Sequence, residues 1–282
     1  MGKSQRFFIR RYSRAVSLQP VANNLRGDEM EILLTNDDGI YSPGILLLKQ
    51  ALQSIGSVTV VAPDVQKSGV GHSITFSHPL RVRDVHVDGK FAGYGIDGSP
   101  ADCVKIGVRE IIGKQPDLLV AGINIGANVG INILYSGTVA AAIEGAVLGI
   151  PSVAISLEIS ELPSDVQGAA GISTEMIRHI VTREIPKGTL LNINIPHIPK
   201  NEIKGVRVTK QYSGDFDEHY ERRTDPRGCA YYWLAGTGWP EKEVVGTDMH
   251  ALKRGYISIT PLKYDLTDKG FFSKLESWDM EY

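Results

Sequence analysis

The sequence predicts an α/β fold: an open, mostly parallel Rossmann-like sheet with helices on both faces, plus a projecting β-hairpin toward the C-terminus. Three observations point there. Short apolar segments recur (Ile32-Leu33-Leu34, Val58-Thr59-Val60-Val61-Ala62, Leu118-Leu119-Val120-Ala121), the pattern of strands buried on both faces. Between the first two, Ile45 to Leu48, Ala51, Leu52 and Ile55 place apolar side chains three and four apart, which makes a strand–helix–strand crossover. Each of these segments ends in polar and glycine-rich residues, where a parallel sheet places its ligands.

The 282 residues suffice for one large domain with an appendage or two modest ones. We divide them into an extension (1–29), an α/β core (30–200) and a C-terminal region (201–282) that packs back on the core. Composition is that of a soluble globular protein, with 42% hydrophobic and 22% charged residues. Two cysteines, Cys103 and Cys229, have neither metal-ligand spacing nor a disulfide framework, which fits a reducing compartment. No apolar run reaches about 18 residues, so no membrane span is expected.

Net charge is -2, and residues 1–29 hold six Lys or Arg against two acidic residues. Subtracting them from the chain's 30 basic and 32 acidic residues leaves 24 and 30 in the body, an excess of six acids. Such a body argues against a broad basic face for nucleic-acid polymers. The extension reads as a disordered tail or a start upstream of a natural one at Met30, with an organelle transit peptide as the alternative.

The first strand ends in Asn36-Asp37-Asp38-Gly39, and Ser42-Pro43 opens a helix with Ser42 as expected cap. Gly56 closes that helix. The second strand ends in Pro63-Asp64 and leads into Lys67-Ser68-Gly69-Val70-Gly71-His72-Ser73. Residues 80–87 alternate, Asp88-Gly89 signals a turn, and 91–96 return, an antiparallel excursion at the sheet edge. Ser99-Pro100-Ala101-Asp102 is a capping box whose helix places Cys103 near a core.

The third parallel strand runs into 122–130, Gly-Ile-Asn-Ile-Gly-Ala-Asn-Val-Gly, which suits backbone wrapped around a ligand better than a strand or a helix. Ser136-Gly137-Thr138 then starts an Ala-rich helix, a ready cradle for phosphate. Residues 152–157 are a fourth strand, 171–183 a helix with Met176 and His179 as packing and surface residues, and 190–195 another strand. Beyond 200, residues 206–210 are a candidate strand and 215–228 are charged and turn-rich. Ala230-Tyr231-Tyr232-Trp233-Leu234 is aromatic and strand-prone, suited to a projecting hairpin that meets a partner. A segment at 248–254 and a strand at 256–260 return, and a polar tail follows Leu266.

In an open parallel sheet, the loops after the first, second and third parallel strands emerge on one edge. They bring Asp37, Asp38, Ser68 and Asn124, an all-oxygen set suited to Mg or Mn more than to Zn. Adjacent carboxylates repel unless a positive charge sits between them; a tight surface turn is the alternative reading of that pair alone. One divalent ion per subunit that binds water and a phosphoryl oxygen would hydrolyse a phosphomonoester, with Asp37 or Asp38 orienting or deprotonating the water. Asn36, Gly39, Asn128, Ser136, Gly137 and Thr138 are the phosphate and substrate candidates. His72 is either proton donor to the leaving alcohol or support for the Ser68 loop. P-loop, Gly-x-Gly-x-x-Gly and Gly-x-Ser-x-Gly motifs do not occur.

The blocks ILLTNDDGIYSPG, VVAPDVQKSGVGHS, DGSPADCVK, AGINIGANVG and YSGTVAAAIEGAVLGIPSVAIS together resemble the SurE family of survival-protein nucleotidases. The resemblance resumes with YERRTDPRGCAYYWLAG and GTDMHALKRGYISITPL. It implies a cytoplasmic, divalent-metal-dependent phosphatase of nucleoside monophosphates. Activity on 5′-nucleotides is the usual one, with 3′-nucleotides and short polyphosphate as further substrates. It assigns Asp37, Asp38, Ser68 and Asn124 to the metal and implies homodimers or homotetramers built partly through the hairpin. Two positions depart from the family's habit: Ile125, where a basic or polar residue is common, and Asn132, where Asp is common. The alternatives are a broad phosphomonoesterase and a nucleotide-binding stress-response scaffold without turnover.

Overall fold

Period-two alternation builds the centre of the molecule. A computed structural model describes residues 29–159, 165–236, 239, 242–278 and 280; all but the last residue of the expected extension lies outside them. In β1 (Glu31–Thr35), Ile32 and Leu34 enter one apolar layer while Leu33 enters the other. In β2 (Ser57–Pro63), Val60 and Ala62 face the first layer and Val61 the second. β5 (Leu118–Ile125) repeats this with Leu118 and Val120 against Leu119 and Ala121, and β6 (Ser152–Leu157) with Val153 and Ile155 against Ala154. Both faces are covered, so these strands read as unbroken apolar runs.

Helices supply the two covers. α1 (Pro43–Leu52) and α5 (Val166–Ile180) pack together on one face, and α2 (Pro100–Ile106) and α4 (Gly137–Val147), which follows the one-turn α3 (Asn132–Tyr135), on the other. With β3 (Val82–Val87), β4 (Lys90–Ile96), β7 (Thr189–Ile195), β8 (Val206–Val208) and β11 (Ile257–Lys263), the sheet has nine strands in the order β3-β4-β2-β1-β5-β6-β7-β11-β8. The run from β4 to β7 is parallel, while β3 and β11 pair antiparallel with β4 and β7. β8 and β11, from beyond residue 200, extend this same sheet. β1 lies between β2 and β5, with Ile32 beside both Val58 and Leu118. The chain therefore reverses its direction of travel at β1, and a crevice opens above the carboxyl ends of β1 and β5.

Several expected boundaries move. The glycine-rich stretch enters β5 as far as Ile125, because a register shift between Ala121 and Asn124 lets the strand absorb it and Asn124 pair with Ser156. α5 starts at Val166, five residues before the expected Gly171, and ends at Ile180: Asp165 accepts from Gly168 N–H at 2.8 Å, and Ala169 and Ala170 are buried. Ser42 sits at the cap position of α1 but gives no side-chain cap. The candidate strand at 206–210 shortens to β8. The tail after Leu266 contains α7 (Lys269–Glu276), started by Asp268 accepting from Gly270 and Phe271 N–H.

The capping box at Ser99 and Asp102 forms, and Cys103 is fully buried. β9 (His219–Thr224) and β10 (Ala230–Ala235) make a two-stranded hairpin in which Arg222 faces Tyr232 and Tyr220 faces Leu234. It is a sheet of its own.

Two helical glycines test how tightly α1 and α5 are seated. A Cβ on Gly44 would run into the Ile123 carbonyl, whereas one on Gly171 meets nothing within 4 Å. Gly44→Ala is expected to destabilise by about 1–3 kcal/mol. Gly171→Ala is expected to stabilise by about 0.5–1 kcal/mol, since a mid-helix glycine gives way to a better helix former. Urea-unfolding midpoints that move in the same direction for both would contradict this packing.

Candidate active site

The turn after β1 is closed by its own first residue. Asn36 donates from Nδ2 to the Gly39 carbonyl at 3.1 Å and to Ser42 Oγ at 2.8 Å. Asn36 is fully buried, and its Oδ1 has no hydrogen-bond partner among the described residues. The turn presents Asp37 toward α4 and Asp38 toward the end of β5.

Asp37 is 4% exposed and accepts from the Thr138 hydroxyl at 2.5 Å. A Cβ on Gly137 would lie 2.8 Å from the Asp37 Cβ, so only glycine lets α4 begin this close to the carboxylate. Burial pushes the Asp37 carboxyl above its ordinary value, against hydrogen bonds from Thr138 and the backbone. Asp38 accepts from Ile125 N–H at 3.4 Å, a long contact. Burial first, and then the adjacent Asp37 charge, raise its carboxyl to about 6. Among the described residues neither carboxylate has a basic side chain paired with it.

The other oxygens come from the end of β5 and from the loop after β2. Asn124 donates from Nδ2 to the Gly126 carbonyl at 2.7 Å, which leaves Oδ1 as its acceptor. Ser68 is exposed, and its Oγ accepts from Gln66 Nε2 at 2.8 Å. Its neighbour Lys67 donates backbone N–H to the Asp37 carbonyl at 2.7 Å, which ties the Ser68 loop to the carboxylate turn. Two unneutralised carboxylates with neutral oxygens beside them fit a hard divalent cation. Among the described residues no three His, Cys, Asp or Glu side chains gather as a metal cluster, so the set rests on that pair.

The phosphate candidates are engaged with the protein itself. Ser136 Oγ caps α4 by accepting from Val139 N–H at 3.0 Å, and Thr138 serves Asp37. Asn128 donates from Nδ2 to Ser156 Oγ at 2.8 Å, and its N–H reaches Asn194 Oδ1 at 2.8 Å. Its carbonyl accepts from Asn192 and Asn194. His72 Nε2 lies 2.9 Å from Glu144 Oε2, a contact that joins the Ser68 loop to α4.

Several residues around the site escape sequence reasoning. Asn192 and Asn194 are buried polar residues between the leucines and isoleucines of β7, and Glu144 is a lone acid in the Ala-rich α4; such misplaced polarity was the available signal. Asp102 does more than cap α2, because it also receives Thr75 N–H at 3.1 Å and the Thr75 hydroxyl at 2.7 Å. Asp248, fully buried at the start of α6 (Asp248–Lys253), accepts from Gly130, Tyr212 and Met249 N–H. It joins the glycine loop to a small apolar group of Val129, Tyr212, Met249 and Leu252.

Known proteins resemble this chain over most of its length. The family model "Survival protein SurE" matches residues 32–218. A protein of Syntrophobacter fumaroxidans named 5′-nucleotidase SurE is 47% identical over 251 residues, which cover 89% of this chain and 100% of that one. One of the same name from Syntrophus aciditrophicus is 51% identical over 239 residues, covering 84% and 90%. The crystal structure of the SurE protein from Aquifex aeolicus superimposes with a TM-score of 0.78 at 43% identity, covering 87% of this chain and 98% of that one.

The raised Asp38 carboxyl has a measurable consequence. Its folded value of about 6 exceeds the ordinary 3.8, so the folded state holds the proton longer than the unfolded one. Ionisation therefore costs stability as pH rises from about 4 through about 6, and the cost stays in place above that. In metal-free protein at pH 8, Asp38→Asn is expected to raise Tm by about 2–4 °C. The gain should shrink toward zero as pH falls to 4; a pH-independent gain, read by scanning fluorimetry, would contradict this electrostatic account.

Proposed function

This chain belongs to the SurE family, and from that premise we propose that it is a divalent-metal-dependent 5′-nucleotidase. It would hydrolyse nucleoside 5′-monophosphates to nucleoside and phosphate, with 3′-nucleotides and short polyphosphate as further substrates. The observation that carries this reading is the Asp37–Asp38 pair above the β1–β5 crevice, raised by burial and without a basic partner among the described residues. The nucleotidase names of the relatives support it.

Asp37, Asp38, Asn124 Oδ1 and Ser68 Oγ would hold one Mg or Mn ion. Such an ion supplies a water of lowered pKa and takes up charge from the phosphoryl oxygens. Asp38 is the more accessible carboxylate and would orient that water or receive its proton; Asp37, fixed by Thr138, would act chiefly as ligand. Asn36, Gly39, Asn128, Ser136, Gly137 and Thr138 would shape the phosphate pocket by holding its loops. Their polar side chains already serve internal bonds, so direct phosphate ligation is a lesser part of this reading.

The proposed assembly is a homodimer or homotetramer in the cytoplasm. The hairpin supports it, since Tyr220, Trp233 and Leu234 are 70%, 58% and 60% exposed in the single chain. Among the described residues no helix is long and apolar enough to cross a membrane.

Phosphate release from AMP, assayed with EDTA, added Mg and added Mn, tests the chemistry. Release that requires the metal is expected. Asp37→Asn and Asp38→Asn should each reduce turnover by more than the roughly 100-fold reached by substitutions one step from a metal. Full activity of both variants near the wild-type half-saturating metal concentration would remove the site. Binding of AMP without release under any metal would favour the scaffold alternative. For the assembly, Trp233→Glu is expected to lower the mass measured by light scattering.

A further inference from the structure

Residues 64–81, which carry Ser68, contain neither helix nor strand. Where Ser68 sits therefore depends on side chains and isolated backbone bonds. Glu144 is one of two buried acids among these anchors, beside Asp102. It is 4% exposed in the middle of α4, among alanines, where an apolar residue would pack without desolvating a charge. It receives Lys105 Nζ from α2 at 2.8 Å and His72 Nε2 from the Ser68 loop at 2.9 Å. Burial alone would raise its carboxyl, but these two donors outweigh burial and hold it below the ordinary range. It is thus an ionised acceptor fixed between α2, α4 and the loop.

The loop is clamped on both sides of Ser68. On one side Lys67 N–H is bonded to the Asp37 carbonyl at 2.7 Å. On the other, Gly71 N–H reaches the Tyr135 carbonyl at 2.9 Å and His72 reaches Glu144. We propose that Glu144 is a positioning residue: through His72 it holds the Ser68 hydroxyl within reach of a divalent cation bound by Asp37 and Asp38. This rests on the metal site of the preceding subsection. It gives the buried charge a task that stability does not supply, since a buried ion pair is seldom more stable than an apolar replacement.

The test is Mn binding to metal-free protein, measured by calorimetry without nucleotide, in wild type, Asp38→Asn, Ser68→Ala, His72→Ala, Glu144→Gln and the Ser68→Ala/His72→Ala double variant. His72→Ala is expected to weaken binding about tenfold, and Ser68→Ala at least as much. The double variant should bind no more weakly than Ser68→Ala, because the clamp acts only through that hydroxyl. Glu144→Gln should match His72→Ala; if circular dichroism finds it unfolded, the half-exposed His72 decides alone. Wild-type binding by His72→Ala beside a weakened Ser68→Ala would overturn the positioning role and leave the metal site standing. A fully additive double variant would overturn it too. Wild-type binding by both Asp38→Asn and Ser68→Ala would remove the metal site itself, and this role with it.

Discussion

Asp37 and Asp38 stand next to one another where β1 leaves the sheet, and among the described residues no basic side chain neutralises them. Carboxylates so close, one of them almost wholly buried, raise each other's cost of ionisation. The fold accepts that cost and surrounds it with compensation: the Thr138 hydroxyl, the close start of α4 at Gly137, and the long contact from Ile125. None of these supplies a positive charge. The cation we propose would supply it at this sheet edge, with further oxygens offered by the Ser68 loop and by Asn124 at the end of β5.

The Ser68 loop and the glycine loop share a way of being held. Each is irregular, so its backbone groups cannot satisfy one another in a ladder. Each is tied instead to a buried acid on a neighbouring helix: the Ser68 loop to Asp102 of α2 and Glu144 of α4, the glycine loop to Asp248 of α6. A carboxylate accepts several hydrogen bonds at once, which makes it an efficient joint between elements that meet at one point. Asn192 and Asn194 do the corresponding work beneath Asn128. Rigid loops at the mouth thus come from buried polarity, while the apolar layers fix the sheet below them.

The C-terminal part follows a different logic. β11 and β8 complete the main sheet, and α6 seals the glycine loop, but the hairpin and α7 leave aromatic side chains open. Phe271 and Trp278 touch edge to face beside α7, and both stay about half exposed. Exposed apolar surface of this kind is costly in a lone chain, and it is where the assembly we propose would bury it.

The sequence by itself determined the sheet class, the α1 and α2 starts and the polar strand ends, because these depend on local periodicity and turn chemistry. It also singled out Asp37, Asp38, Ser68 and Asn124 as candidate ligands, since parallel strands deliver their carboxyl ends to one edge whatever their order. Tertiary structure alone decided that β5 lies against β1, which brings Asn124 and Ile125 to the Asp turn across more than eighty residues. It decided that Asn124 belongs to a strand, because pairing with Ser156 of β6 beyond the register shift overrides its weak strand preference. It also decided that Glu144, Asp102 and Asp248 are anchors. A buried acid and an exposed one have the same letter, and only the donors packed around it, drawn from distant segments, tell which it is.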